Sequence, residues 1–398
     1  MSELSQICRA ARDALRDTQR GEREQHQEPI WLATVMRVLG SAYRQPGARM
    51  LFSSGQVLAG SVSGGCLEAG IARKGPWLAR ERPKCIRFDG RAEEDDESPR
   101  GTGCDGVVDI LLERASFATP TSSLTVIEDC LRQERRAVIA TVFSSRDPLA
   151  PVGARLVLDG DGKLSTESLS GSTWAALARA AELASSEPRG RPRLISTPNC
   201  QALLEVIEPP PHLFVFGAGP DVLPLVEFAE AVGFGVTVCD TSARIQVRER
   251  FARHAELYIG SVETSAALIA SRRTPVAVVM SHHYPTDRRA LQMLLESKAS
   301  YIGMLGPLRR TERMLDELFP AAEQLSARDR SRIHAPLGID LGAENPAQIA
   351  LSAVAEIQAV LSQASAVPLS QRGAQPIHRP LSELSASTLP ELGKTGTA

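Results

Sequence analysis

The sequence predicts an α/β protein in two parts: an N-terminal mixed α/β domain bearing distinctive cysteines, and a C-terminal Rossmann-like, doubly wound parallel sheet. Three observations carry this expectation. From His212 onward, apolar strand-like runs alternate with helical ones, the pattern of a parallel sheet covered on both faces. The first of these strands runs into Gly217-Ala218-Gly219 and then into a helix. Upstream, Cys66 and Cys104 each stand in a glycine-rich turn.

Bulk composition limits the function classes. A chain of 398 residues, 43% hydrophobic and 23% charged, suits two or three globular domains. Its net charge of −2 and 4% aromatic content give no electrostatic or stacking case for nucleic acid, nor for an anionic membrane surface. No window reads as a secretory signal or a membrane helix. The seven cysteines are scattered without a C-x-x-C pair, so reduced thiols in the cytoplasm are expected rather than a disulfide framework or zinc site.

The elements follow in order. An amphipathic helix is expected over Gln6–Arg20, with Ile7, Ala10, Ala11 and Leu15 on one side. A strand spans Ile30–Val38, and a hairpin joins Arg49–Phe52 to Gln56–Ser61 through Ser53-Ser54-Gly55. A helix then runs from Cys66 to Ala79, with strands at Lys84–Phe88 and Gly106–Leu112 separated by the acidic loop Glu93–Glu97. These make a first domain over 1–120. A middle subdomain of unassigned role, 121–208, has helices at Leu124–Gln133 and Thr173–Ala184 and strands at Ala137–Val142, Ala154–Leu158 and Leu203–Ile207. Pro209-Pro210-Pro211 marks a boundary. The Rossmann-like domain, 211–362, begins with strand His212–Gly217, helix Leu223–Val232 and strand Gly235–Asp240. Strand Val276–Ser281, helix Arg288–Glu296, strand Ser300–Gly303 and helix Pro346–Leu361 complete it. The Ser-, Pro- and Gly-rich tail, 366–398, is expected to be disordered.

Several positions could carry chemistry. In Gly60-Ser61-Val62-Ser63-Gly64-Gly65-Cys66-Leu67-Glu68, a strand ends in a glycine turn and a helix is expected near Cys66. Ser63 is a candidate N-cap. A thiol in a first helical turn feels the positive dipole end, which favours thiolate, and open N–H groups there suit an anion. A small buried cysteine at a tight helix start is the plainer reading. Cys104 lies in Gly101-Thr102-Gly103-Cys104-Asp105-Gly106, where glycines expose backbone and thiol alike. Cys8, Cys85, Cys130, Cys200 and Cys239 are expected in the core. Arg44 and Arg49, in a loop shaped by Gly40, Pro46 and Gly47, could hold a phosphate or carboxylate, or be solvated surface arginines. Gly217 and Gly219 allow a phosphate to approach a helix start, and Asp240 stands at the spacing of a ribose 2′-hydroxyl acceptor, although Val222 occupies the third glycine position. His282 and His283 follow the expected strand Val276–Ser281 and point oppositely, so one of the pair could face the cleft of such a fold; His334 is a similar candidate, and a core or surface histidine is the plainer reading of each.

These segments together resemble the XdhC/CoxI family of molybdenum-enzyme maturation proteins. The matching stretches are GSAYRQPGARM, GSVSGGCLEAGI, GTGCDGVVDILLE, HLFVFGAGPDVLPL, YIGMLGPLRRTERML and RIHAPLGIDLGAENPAQIALSAVAEI, in family order. The resemblance implies a chaperone rather than a turnover enzyme. Such a chaperone binds molybdenum cofactor (molybdopterin or its dinucleotide), shields it from oxidation, assists its sulfuration with a cysteine desulfurase, and delivers it to a xanthine or CO dehydrogenase-type molybdenum hydroxylase apo-enzyme. It makes Cys66 and Cys104 the candidates for contacting molybdenum or a transferred sulfur; used jointly, both thiols would line one cleft. Arg44, Arg49, Ser63, Gly64, Gly65, Gly217, Gly219, Asp240, His282 and His334 become the candidate cofactor contacts. The second reading is an NAD(P)-dependent oxidoreductase using the Rossmann domain, and the oligomeric state is left between monomer and homodimer.

Overall fold

The computed structural model describes residues 2–20, 29–90, 106–187, 190–241, 245–320, 325–373, 381–385 and 388. They form two compact units, one from Glu3–Glu208 with a strand near the C-terminus, the other mainly from Pro209 onward.

The N-terminal unit runs α1 (Glu3–Arg20), β1 (Trp31–Leu39), β2 (Arg49–Ser53), β3 (Gln56–Gly60), α2 (Glu68–Leu78), β4 (Lys84–Asp89) and β5 (Val107–Arg114). It continues with α3 (Ser123–Gln133), β6 (Ala137–Ser145), β7 (Arg155–Leu158), β8 (Leu164–Glu167), α4 (Gly171–Ser186), β9 (Arg193–Thr197) and β10 (Cys200–Ile207). The first five strands make an antiparallel sheet in the order β3-β2-β1-β5-β4. Antiparallel pairing of β9, β10, β6, β7 and β8 makes a second sheet.

The expected boundary near residue 120 separates two sheets that share their cores. Leu32 and Leu51 of the first sheet pack with Ile139, Val157 and Ile207 of the second, sealed by Ile7, Cys8 and Ala11 of α1 and Leu124 and Ile127 of α3. Met36 and Leu111 likewise meet Phe143 and Leu203. The apolar side of an antiparallel sheet must be covered, and here each sheet covers the other.

The second unit runs β11 (His212–Phe216), α5 (Val222–Ala231), β12 (Gly235–Asp240), α6 (Ile245–Phe251), β13 (Glu256–Ile259), α7 (Ala266–Ser271) and β14 (Pro275–Val279). It ends with α8 (Tyr284–Glu296), β15 (Ile302–Met304), α9 (Leu308–Leu318), α10 (Ala327–Arg332), β16 (Ile333–His334) and α11 (Pro346–Ser362). Its six strands are all parallel, in the order β13-β12-β11-β14-β15-β16. This is the doubly wound Rossmann arrangement, in which the order reverses between β11 and β14 and leaves a crevice at the carboxyl ends of those two strands. Every residue of β11 and β14 is buried, as strands covered on both faces require. One core lies on each face, one of them bringing α5 and α11 onto the sheet. α6, β13, α7, α10 and β16 are too short for a periodic pattern to stand out in the sequence, and the longer α9 was not expected either.

Residues 382–385, within the tail expected to be disordered, form β17 (Ser382–Ser385), which pairs in parallel with β9. The open edge of β9 offers unpaired backbone groups that a strand can satisfy, and Ser196 Oγ donates to Glu383 Oε1 at 2.5 Å. No helix among the described residues is long and apolar enough to cross a membrane.

Candidate functional site

In the N-terminal unit the chain leaves β3 and turns through residues 61–67 before entering α2. The helix begins at Glu68, two residues later than expected, so Cys66 lies in the turn ahead of it rather than in its first turn. Glu68 fixes this turn. Its buried carboxylate accepts hydrogen bonds from Val62 N (3.1 Å), Ser63 N (2.8 Å), Leu67 N (3.2 Å) and the Ser63 hydroxyl. Ser63 Oγ in turn accepts from Gly65 N and Leu67 N, both at 3.1 Å, so it caps the turn instead of the helix. Burial pushes the Glu68 carboxyl up, but these hydrogen bonds together pull it below its ordinary value, keeping it ionised. Gly65 adopts φ +109°, open to glycine without strain. Gly64, Gly65 and Cys66 are all exposed. The plainer reading of a buried thiol therefore does not hold for Cys66.

The other described cysteines contrast with it. Cys8, Cys130, Cys200 and Cys239 are buried, and Cys85 is half-buried. Burial pushes the Cys8, Cys85 and Cys239 thiols up to about 12 and Cys200 up to about 11, which keeps them protonated. Cys104 lies outside the described residues.

The two loop arginines have gone elsewhere. Arg49, 3% exposed, donates through both Nη atoms to Glu205 of β10 at 3.0 and 2.8 Å, and also to Gly47 O at 2.7 Å. The expected anion-facing arginine is thus a strut between the two sheets of its unit. Arg44 pairs with Glu3 of α1 at 2.5 Å on the surface.

In the Rossmann unit, Gly217 and Gly219 follow β11 at the crevice. Gly217 has φ +130°, and a Cβ there would lie 2.6 Å from Met280 O, so only glycine lets β11 and β14 end this close together. A Cβ on Gly219 would lie 2.3 Å from Asp221 Oδ1. Asp221, at the start of α5, pairs with His282 Nε2 at 2.7 Å, joining the two loops that flank the crevice. His282 itself sits at φ +60° and is exposed. Strand β14 stops at Val279, and the loop beyond it is held by Asp287 of α8, a fully buried carboxylate. Asp287 accepts from Ser281 N (3.2 Å) and Ser281 Oγ (2.5 Å) and pairs with Arg310 of α9 at 2.7 Å. Asp240 ends β12, where its carbonyl accepts from Gly260 N at 3.0 Å. His334 ends β16, stacked on Tyr301 and paired with Glu356 of α11 at 3.2 Å.

The Gly217, His282 and Asp221 groups are brought together at the crevice. Cys66, Ser63, Gly64 and Gly65 form one turn, and Arg49 is withdrawn into the core of its unit. The sequence reading missed Glu68, Asp221, Asp287, Tyr301 and Glu356. For Glu68 and Asp287 a signal existed: each is an acidic residue in the first turn of a helix that follows a strand. Among the described residues, no group of three or more His, Cys, Asp or Glu side chains is placed to hold a metal ion.

Comparison with known proteins bears on both units. A family model described as the XdhC Rossmann domain matches residues 213–357, and one described as the XdhC and CoxI family matches residues 23–89. Over 333 residues the chain is 30% identical to a probable xanthine dehydrogenase subunit of Bacillus subtilis, covering 83% of this chain and 93% of that protein. The chain belongs to the XdhC and CoxI family. A solved structure of a xanthine dehydrogenase from Bacillus halodurans, 26% identical, covers 93% of this XdhC-type chain and 99% of its own, with a TM-score of 0.68. The uncharacterized protein YqeB of Escherichia coli is 30% identical over 154 residues, 39% of this chain and 28% of YqeB.

Proposed function

We propose that this XdhC-family chain is an accessory protein of a xanthine dehydrogenase-type molybdenum hydroxylase. It takes up molybdenum cofactor as cargo, shields it and holds it while a cysteine desulfurase supplies sulfur. It then hands the cofactor to the apo-enzyme. The observation that carries this reading is Cys66: an exposed thiol on a glycine turn whose backbone N–H groups donate to a buried carboxylate. A thiolate is a soft ligand suited to a metal centre or to sulfur transfer, and a pre-set turn lowers the cost of engaging a bulky cargo. Cys104 is proposed as the second thiol. The free thiols of the described chain support a reducing, cytoplasmic setting.

The test is purification of the full chain from cells that make molybdenum cofactor, with metal analysis and mass spectrometry of the bound fraction. Wild type is expected to carry molybdenum and a pterin, and Cys66→Ala and Cys104→Ala to carry less. A wild-type protein that never carries pterin, with a partner hydroxylase fully sulfurated in its absence, overturns the reading.

The Gly217 and Gly219 turn and Asp240 favour the nicotinamide reading. Asp221 weighs against it, because its carboxylate stands at the start of α5, where a dinucleotide would bring its anionic pyrophosphate. Titration with NAD(H) and NADP(H) separates the two: saturable binding supports an oxidoreductase, and none supports the carrier.

A further inference from the structure

His334, named among the candidate cofactor contacts, is built into a network of its own that the cofactor reading does not account for. Its ring stacks on Tyr301 with centroids 4.3 Å apart and planes 22° apart. Glu356 lies on α11 and divides its two oxygens. Oε2 accepts from Tyr301 Oη at 2.5 Å and from Gly338 N at 2.8 Å, while Oε1 faces His334 Nδ1 at 3.2 Å. Burial raises the Glu356 carboxyl, but the hydrogen bonds of His334, Tyr301 and Gly338 bring it below its ordinary value, so the group is an ionised acceptor.

An ionised carboxylate can only accept, so the proton between the two groups sits on His334 Nδ1. A neutral imidazole with a proton on Nδ1 carries its lone pair on Nε2. Among the described residues Nε2 has no protein partner, and it is absent from the enclosed polar atoms that lack one, so it opens to the outside. His334 is the last residue of β16, the outermost strand of the parallel sheet, on the same carboxyl-end side as the crevice between β11 and β14. A metal is a poor occupant, since no group of three ligating side chains forms among the described residues.

We propose that His334 Nε2 is a pre-set hydrogen-bond acceptor for a ligand N–H or O–H at the sheet edge, with Glu356 and Tyr301 as its positioning residues. Glu356 fixes the tautomer and Tyr301 fixes the plane of the ring. The inference does not rest on the cofactor reading, and its test needs no cofactor.

Glu356→Gln is nearly isosteric and gives a sharp outcome. Two donors, Tyr301 Oη and Gly338 N, converge on the Oε2 position and hold the amide oxygen there. The amide NH₂ then faces His334 Nδ1, which must accept, and the ring proton moves to Nε2. Nitrogen-15 NMR of histidine-labelled full chain at alkaline pH reads the tautomer, with the His334 signal assigned by its loss in His334→Gln. The wild type is expected as the Nδ1–H form, Glu356→Gln as the Nε2–H form, and Tyr301→Phe, which keeps the carboxylate, as the Nδ1–H form. Ethoxyformylation, which needs the open lone pair, is expected at His334 of the wild type and several-fold slower there in Glu356→Gln. A wild type in the Nε2–H form, a Glu356→Gln protein that keeps Nδ1–H, or a His334 inert to ethoxyformylation in the wild type overturns the proposal.

Discussion

The Cys66 turn and the His334 edge solve the same problem in opposite ways. Each presents one reactive side chain, and each is organised by a single glutamate. Glu68 takes its partners from the six residues just before it, so the turn is a local device. Glu356 takes its partners 18, 22 and 55 residues away, just before β15, on β16 and in the loop after it. A local device costs little chain entropy to close and can form with its own helix, whereas a distributed one exists only once the whole sheet has assembled. The Cys66 turn should therefore tolerate damage elsewhere in its unit better than the His334 site does.

The largest effect expected is at a distributed contact. Arg49→Ala strands the buried Glu205 carboxylate and should destabilise the N-terminal unit by about 3–5 kcal/mol in denaturant unfolding. A loss below 1 kcal/mol would show that Glu205 finds water or another donor, and that the strut matters little.

Acid should reach the Rossmann unit first. Burial, aided by the nearby Arg272 charge, holds His212 down at about 4, against an ordinary 6.5. The unfolded chain takes up that proton below about pH 6.5, while the folded chain resists until about pH 4, so stability is full above the first value and falls as pH drops toward the second. The loss amounts to about 3 kcal/mol across that window. Glu68, with its carboxyl held low, contributes stability that is lost only as pH falls below its ordinary 4.5. Hydrogen exchange at pH 5 is expected to quicken in β11 and β12 before the Cys66 turn; the reverse order would break the comparison.

Glu68→Ala leaves Val62, Ser63 and Leu67 amides without their acceptor and should cost about 1–3 kcal/mol. Its clearer signature is a changed alkylation rate at Cys66, with core exchange protection kept. An unchanged rate would mean that Ser63 alone shapes the turn.

The smallest effect is expected at His282→Gly. It removes an exposed pairing with Asp221 but relieves a left-handed backbone, so stability should move by less than about 1 kcal/mol. A larger loss would make the Asp221 pairing the main tie between the two crevice loops.

What could be read in advance follows the same division. The β11 and β14 runs, the Gly217 turn and the capped α11 are near-neighbour patterns, and each was legible as periodicity or as a turn requirement. The exposed glycine turn at Cys66 was legible too, but its helix start was displaced by two residues because Ser63 and Glu68 cap the turn itself. Arg49 read as an anion ligand because its partner, Glu205, is 156 residues away. β17 read as tail because a four-residue run with a single apolar side chain, Leu384, carries no strand signal until an open edge is beside it.

By itself, then, the sequence determined the doubly wound sheet and the glycine-framed thiol, since both depend on residues close along the chain whose backbone and burial preferences agree. Only the tertiary structure decided which polar groups face outward. Arg49 was drawn inside, Cys66 was left exposed, and His334 was turned to present Nε2, because the partner of a buried charge is fixed by which strands and helices come to lie side by side.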